Sequence, residues 1–375
     1  MKAVIEDPPY GMNESDFDVQ EFLKSCLEGK AYDRKGRGIA GQEWDKQFPG
    51  VDYFKEVMRV LKPGGFYVGF CSGPNMGLFK ICAMCAGLEV IDLGAWFYGK
   101  GMASGRKAVL GENPFSEKIE NPIYGFAKAF EPILIARKPI EKGLTVAKNF
   151  EKYGTGLING GEASYCIDGK RRSPTHAYWD GTSVVEELLG NDAKFARKCS
   201  SSLLDQVFAH PKPTHLEKNF GVDEGQGYSI QGNLVEGLRN ELLTVKPIEL
   251  MVALIQAFTK EGDTVLDGYL GSGTTGIAAL LTGRNFIGIE LSEQYFDLAS
   301  DRLLNVKVLR ERFPKAEYQQ LILQFEYEHL NKELNNLSKV IASGEVAFEA
   351  IERFKSVRGS IRKIESGLAE YKKAS

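Results

Sequence analysis

Two short stretches carry residues whose types and spacing could do chemistry: Asp7-Pro8-Pro9-Tyr10 and Gly271-Ser272-Gly273-Thr274-Thr275. In the second, an apolar run closes at Asp267. Two glycines one residue apart then let the backbone approach a ligand closely, and Thr274 and Thr275 open a helix. The helix N-terminus that such a turn exposes favours a carboxylate or phosphate. The following apolar run ends in Gly288-Ile289-Glu290, and an acid at the tip of a neighbouring strand is where a ribose hydroxyl pair is held. The spacing is neither that of the G-x-G-x-x-G dinucleotide fingerprint nor that of a G-x-x-x-x-G-K-[ST] phosphate loop. The first stretch follows Ala3-Val4-Ile5. On its own it reads as a turn, because Asp-Pro and Pro-Pro punctuate loops.

Elements predicted on either side place both stretches at strand ends. "VDYFKEVMRVL" has the spacing of an amphipathic helix, stopped by Pro63-Gly64-Gly65 before a strand from Phe66 to Cys71. "MGLFKICAMCAGLEVIDLGAWFYG" repeats the plan, and a further apolar strand covers Ile133 to Ala136. A helix, a strand from Thr264 to Leu266, the glycine-rich turn, a helix, and a strand from Phe286 to Ile289 follow later. Strands alternating with helices at this pitch predict an α/β fold, a doubly wound, mostly parallel, Rossmann-like sheet. Periodicity weakens over 141–240, where glycines, aromatics and basic clusters take over. After 308 the sequence is charged and helical, with apolar positions such as Leu321, Phe325, Val357 and Ile361 at helical spacing. A helical hairpin that packs on the body or pairs with a second subunit is expected there, the latter giving a homodimer.

Composition narrows the function classes. A chain of 375 residues can bury a full core and a smaller second unit. No apolar run approaches bilayer length and no leader pattern stands at the N-terminus, so the expectation is a cytoplasmic protein with no membrane partner. The net charge of −3 supplies no global positive field, and nucleic acid would have to meet a local basic patch. Cys82 and Cys85 lie in an apolar helical rhythm with no second pair nearby, which reads as buried small hydrophobes. Cys166, His176, Cys199, His210 and His215 match no metal-ligand spacing, so no metal is expected.

Taken together, the stretches resemble the amino-methylating DNA methyltransferases. The motifs are DPPY at 7–10, LKPGG at 61–65, FEPILIARKP at 130–139, YGTG at 153–156, TVKPIELM at 244–251, and DGYLGSGTTGIAA followed by FIGIE. Their order, catalytic loop first and cofactor loop last, is similar to that of the beta group. The resemblance spans roughly residues 3–305. It implies four regions: a catalytic half at 1–140, a target-recognition region at 141–240, a cofactor-binding half at 241–308, and a helical tail at 309–375. It also implies S-adenosylmethionine as cofactor, double-stranded DNA as substrate, and a restriction–modification or phage setting.

The resemblance assigns roles residue by residue. The exocyclic amine of adenine or cytosine is a poor nucleophile, because its lone pair is delocalised into the ring. Asp7 and the Pro8 carbonyl would accept its hydrogens, Pro8 and Pro9 would stiffen the loop, and Tyr10 would stack on a flipped-out base. Asp267, Tyr269, Gly271, Ser272, Gly273, Thr274, Thr275 and Glu290 would hold the cofactor, with Thr244, Lys246 and Pro247 closing over it. Lys170, Arg171, Arg172, Lys194, Arg197 and Lys198, interleaved with Tyr178 and Trp179, would meet phosphates and base edges. Asp ahead of Pro-Pro-Tyr favours adenine N6 over cytosine N4. Three departures stand against the pattern, and the first and the last leave room for a DNA-binding relative without catalysis. Gly268 replaces the usual proline and Leu242-Leu243 replace His-Pro. The acidic motif that family members carry upstream of DPPY, often to hold the cofactor's adenine, is not in this sequence.

Overall fold

A computed structural model of the chain describes residues 1–11, 17–32, 45, 48–97, 130–159, 165–167, 170–172, 178–179, 197–198, 212–213, 215–220, 228–230, 233–235, 240, 242, 244–313, 316–342 and 348–374. In chain order the first elements are β1 (Ala3–Glu6), α1 (Val19–Glu28), α2 (Val51–Val60), β2 (Phe66–Phe70), α3 (Met76–Cys85), β3 (Glu89–Phe97), β4 (Phe130–Arg137) and α4 (Val146–Tyr153). Six short strands follow: β5 (Tyr165–Ile167), β6 (Lys170–Arg172), β7 (Tyr178–Trp179), β8 (Arg197–Lys198), β9 (Tyr228–Ile230) and β10 (Asn233–Val235). The chain then runs through α5 (Ile248–Phe258), β11 (Thr264–Asp267), α6 (Thr274–Leu281), β12 (Asn285–Gly288), α7 (Glu293–Arg312), α8 (Tyr318–Ala342) and α9 (Phe348–Ala374).

Six strands form one sheet in the order β12-β11-β1-β2-β4-β3. The pairs β12/β11, β11/β1 and β1/β2 are parallel, whereas β4 runs antiparallel to both β2 and β3. Strand β1 lies in the middle and is buried along its whole length, which is why it reads as a continuous apolar run rather than an alternating one. Its side chains still divide by face. Ala3 and Ile5 join a core with Phe66, Val68, Ile133 and Val265 under α5, α6 and α7. Val4 joins Tyr67, Leu134 and Ala136 under α1, α2 and α3. The sheet is therefore doubly wound, as the alternation of elements predicts.

From β1 the chain leaves over one face toward β2, and from β11 it leaves over the other face, through α6, toward β12. The loops after these two adjacent parallel strands thus diverge at the same sheet edge and open a crevice between them. That places Asp7 and Gly268 on either side of a topological switch point.

The tail folds as expected for a helical hairpin. Leu330 of α8 packs with Val357, Ile361 and Ile364 of α9. Tyr318 and Leu321 at the start of α8 are buried in the main core, and the Phe325 ring lies 4.4 Å from that of Phe220. Helix α7 runs unbroken to Arg312, a few residues past the point where the sequence resemblance ends. Among the described residues no helix is long and apolar enough to cross a membrane. Cys82 is buried, with its sulfur 3.7 Å from that of Cys26, whereas Cys85 faces outward, so only half of the C-x-x-C pair acts as a buried hydrophobe. Of the loose cysteine–histidine set, His176, Cys199 and His210 lie outside the described residues.

Candidate active site

Asp7 follows β1 at the edge of the crevice, with its carboxylate facing inward. Its Oδ2 pairs with the Lys246 ammonium, and its Oδ1 lies 2.9 Å from the Tyr10 hydroxyl. That hydroxyl is also 2.7 Å from Glu131 Oε2, so its one proton serves two carboxylates. Lys246 is buried and reaches Glu131 at 3.3 Å. Its ammonium lies over three rings, Phe70 at 4.9 Å, Tyr10 at 5.4 Å and Trp96 at 5.7 Å, which form a cation-π cage. Burial alone would lower the Lys246 pKa, but Asp7 and Glu131 outweigh it and hold the group above its ordinary value. Burial raises Asp7, the Lys246 ammonium pulls it back, and Glu131 raises it again, with the net result above the ordinary carboxylate value.

The backbone of the loop after β1 is pinned by side chains. Asp45 Oδ1 accepts from the Tyr10 and Gly11 N–H groups at 2.7 and 3.1 Å, and Asn75 donates to the Tyr10 and Gly11 carbonyls at 2.7 and 3.1 Å. With Pro8 and Pro9 fixing φ, the loop has few ways to move.

Across the crevice, the glycine-rich turn is shaped by its lack of side chains. Gly271 and Gly273 take left-handed φ values of 53° and 85°. A Cβ on Gly273 would sit 3.1 Å from that of Ala299 on α7. Gly273 is itself the N-cap of α6 and has no side chain to cap it, so no N-cap side chain takes up the N–H groups of the first turn. Thr274 and Thr275 are buried in that turn, and Thr275 hydrogen-bonds the Asp267 carboxyl rather than capping the helix. Asp267 also accepts from the Tyr269 N–H at 2.9 Å. Burial, with Asp7 and Glu290 nearby, pushes its pKa up to about 7.

Glu290, read from sequence as a ribose holder, uses its carboxylate within the protein. It accepts from the Gly271 N–H at 2.7 Å and from the Leu291 and Ser292 N–H groups at 2.9 Å each. It ties the turn after β11 to the tip of β12. The Ser272 carbonyl accepts from Arg302, a fully buried guanidinium that also donates to the Phe220 carbonyl at 2.8 Å.

In the Thr244-Lys246-Pro247 segment, Thr244 is exposed, Pro247 is buried as the N-cap of α5, and Lys246 turns to Asp7 in the loop after β1. The basic candidates Lys170, Arg171 and Arg172 form β6, paired with β5. Arg197 and Lys198 form β8, opposite Tyr178 and Trp179. Lys194 lies outside the described residues.

Sequence reasoning passed over several residues at this site, among them Glu131, Trp96, Tyr53 and Glu6. Glu131 and Trp96 lie in apolar strand stretches, and Tyr53 lies on an amphipathic helix, so none stands out locally. Glu6 had a signal, since an acid ending a buried strand is unusual. Its carboxyl is fully buried and accepts from three donors: the Tyr53 hydroxyl at 2.5 Å, the Tyr67 hydroxyl at 2.9 Å and the Gly268 N–H at 3.1 Å. Burial, reinforced by Asp267, pushes its pKa up to about 8. A Cβ at Gly268 would overlap the Tyr53 hydroxyl and stand 3.1 Å from Glu6 Oε2.

Several known proteins are similar to this chain. The Type II methyltransferase M.HindIII of Haemophilus influenzae is 26% identical over 323 residues, 80% of this chain and 88% of that protein. M2.DpnII of Streptococcus pneumoniae is 50% identical over 60 residues, 16% of this chain and 22% of that protein. Among solved structures, the M1.HpyAVI-SAM complex aligns over 80% of this chain and 88% of its own, at 17% identity and a TM-score of 0.38. The cytosine-N4-specific PvuII DNA methyltransferase aligns over 86% of each chain, at 15% identity and a TM-score of 0.40. A DNA methylase family model, N6_N4_Mtase, matches residues 1–301, from the strand before Asp7 to the helix behind the glycine-rich turn, and the chain belongs to that family.

Proposed function

We propose that the crevice transfers a methyl group from S-adenosylmethionine to the exocyclic amino nitrogen of a flipped base in double-stranded DNA, with adenine N6 as the target. The observation that carries this reading is the Asp7 carboxylate at the switch point. It already accepts from an amine-type donor, the Lys246 ammonium, beside the face of Tyr10. An exocyclic amine presents the same kind of donor. Asp7 and the Pro8 carbonyl accept its hydrogens and free its lone pair, while Tyr10 offers a flat surface to the base. Adenine is preferred over cytosine because Asp leads the Pro-Pro-Tyr motif.

The glycine-rich side fits the cofactor. The uncapped first turn of α6, with Thr274 and Thr275, suits a methionine carboxylate, and the left-handed glycines keep Cβ atoms out of its path. Asp267, Tyr269, Gly271, Ser272, Gly273 and Glu290 complete the cradle, and Thr244, Lys246 and Pro247 border it. When bound, the cofactor supplies an electrophilic methyl on a sulfonium. Positioning that methyl in line with the amine is the main task left to the protein.

Residues 141–240 are assigned to target recognition. What supports this is the register of β6 and β8, where Lys170, Arg171, Arg172, Arg197 and Lys198 are set against aromatic-containing strands. Their charges supply the local attraction for phosphate that the net charge lacks.

The test incubates the protein with labelled S-adenosylmethionine and unmethylated double-stranded DNA, then identifies the labelled nucleoside after digestion. The expected product is N6-methyladenine, lost in Asp7→Ala. Label in N4-methylcytosine would keep the chemistry and change the base. DNA binding without any label would refute the reading.

A further inference from the structure

The carboxyl of Glu6 bridges the two halves of the crevice. It hangs from β1, one residue before Asp7, and reaches the Gly268 N–H of the loop after β11. Its other two donors come from α2 and β2. Tyr53 extends the bridge, because its ring lies 5.0 Å from that of Tyr269, which packs in the cofactor loop. A methionine or leucine would fill this space without burying an ionisable group, so filling the core does not explain the acid. The glycine at 268 completes the arrangement, supplying an N–H that proline lacks and no Cβ to displace Tyr53.

We infer that Glu6 is a positioning residue for the cofactor: through the Gly268 N–H, and through Tyr53 against Tyr269, it sets the loop 268–273 in its binding geometry. The inference rests on the reading of that loop as the S-adenosylmethionine cradle. Glu6 works through its acceptor oxygens, so an amide, which keeps one carbonyl oxygen and can donate to a tyrosine oxygen, preserves most of the bridge. An apolar side chain of the same length removes it and strands a buried N–H and two hydroxyls.

The groups facing Glu6 are the Tyr53, Tyr67 and Tyr269 hydroxyls and the Asp267 carboxyl. Glu6 is raised to about 8, so at pH 7 it is mostly neutral and the amide is the closer mimic.

The test is calorimetric titration of S-adenosylmethionine into the full chain at pH 7, with a melting curve and kcat at saturating cofactor for each variant. Glu6→Met is expected to weaken cofactor binding about tenfold while kcat at saturation stays within about threefold. Glu6→Gln should restore affinity to within about threefold of the parent, and Tyr53→Phe should weaken it by a smaller factor than Glu6→Met. Folded Glu6→Met with parental affinity would overturn the inference, as would parallel losses of affinity and kcat in every variant. Should Glu6→Met fail to fold, Tyr53→Phe decides, and unchanged affinity there overturns it. Failure of the parent chain to bind the cofactor would instead overturn the reading of the loop.

Discussion

Replacing Gly268 with alanine adds one carbon at the most crowded point of the crevice. Gly268 does not use the left-handed region, so alanine meets no backbone strain, and its cost comes from contact alone. The new Cβ would overlap the Tyr53 hydroxyl and approach Glu6 Oε2 at 3.1 Å. Tyr53 has little room to yield, because its ring is packed against Tyr269 at 5.0 Å and Phe54 at 5.9 Å. Pushing the hydroxyl away breaks its bond to Glu6. Losing one hydrogen bond to a buried carboxyl, together with overpacking by one methyl, destabilises by about 3 kcal/mol. In a Tyr53→Phe background the overlapping atom is gone, so the same alanine should cost about 1 kcal/mol or less. The four proteins of this cycle are compared by urea titration at pH 7, reading midpoints at constant slope. A coupling of about 2 kcal/mol is expected. Equal cost of the alanine in both backgrounds would show that the Tyr53–Glu6 bond is not what excludes a side chain at 268.

Three further outcomes follow from the charges. Glu6 has an ordinary value of 4.5 and sits at about 8 when folded, so its contribution to stability is full below pH 4.5 and is lost as pH rises to 8; Glu6→Gln should flatten that fall in urea midpoints measured from pH 5 to 8. Lys246→Met removes the cation that pulls Asp7 down and leaves it facing Glu131; the acidic limb of the kcat profile should then move to higher pH, and an unmoved limb would argue that Asp7 does not titrate in the reaction. Replacing Lys170, Arg171 and Arg172 together with alanine should weaken DNA binding and make log K less steep in log salt by up to about 0.9 for each phosphate no longer neutralised, measured by fluorescence anisotropy from about 50 to about 200 mM salt.

Much of the frame was legible because its signals are local. The continuous apolar run of β1, the glycines at 271 and 273, and the Pro-Gly-Gly stop before β2 each act within a few residues, and the structure places them as expected. The direction of β4 was not legible: a short apolar strand looks the same in either direction, and only pairing with β2 and β3 fixes it. The pairing of Lys246 with Asp7 spans 239 residues and depends on how α5 docks, so no window along the chain contains it. Gly268 shows the same limit from the other side. Beside the family pattern it is a departure that loosens a turn, yet in the fold it supplies the N–H that Glu6 accepts.

The central position of β1 also bears on how the chain is made. One neighbour, β2, emerges from the ribosome soon after it, but the other, β11, begins at Thr264. At about 5–20 residues per second, the Ala3-Val4-Ile5 ladder waits roughly 13–50 s for its second partner. During that interval an interior strand behaves as an edge, with apolar side chains and free backbone groups able to recruit foreign strands. The crevice closes only when the last third of the sheet arrives, so a nascent or truncated chain ending before Thr264 would carry Asp7 on an unfinished sheet. Chaperone capture of such intermediates, and their aggregation when capture fails, are the expected biogenesis costs of dividing one site between distant parts of a chain.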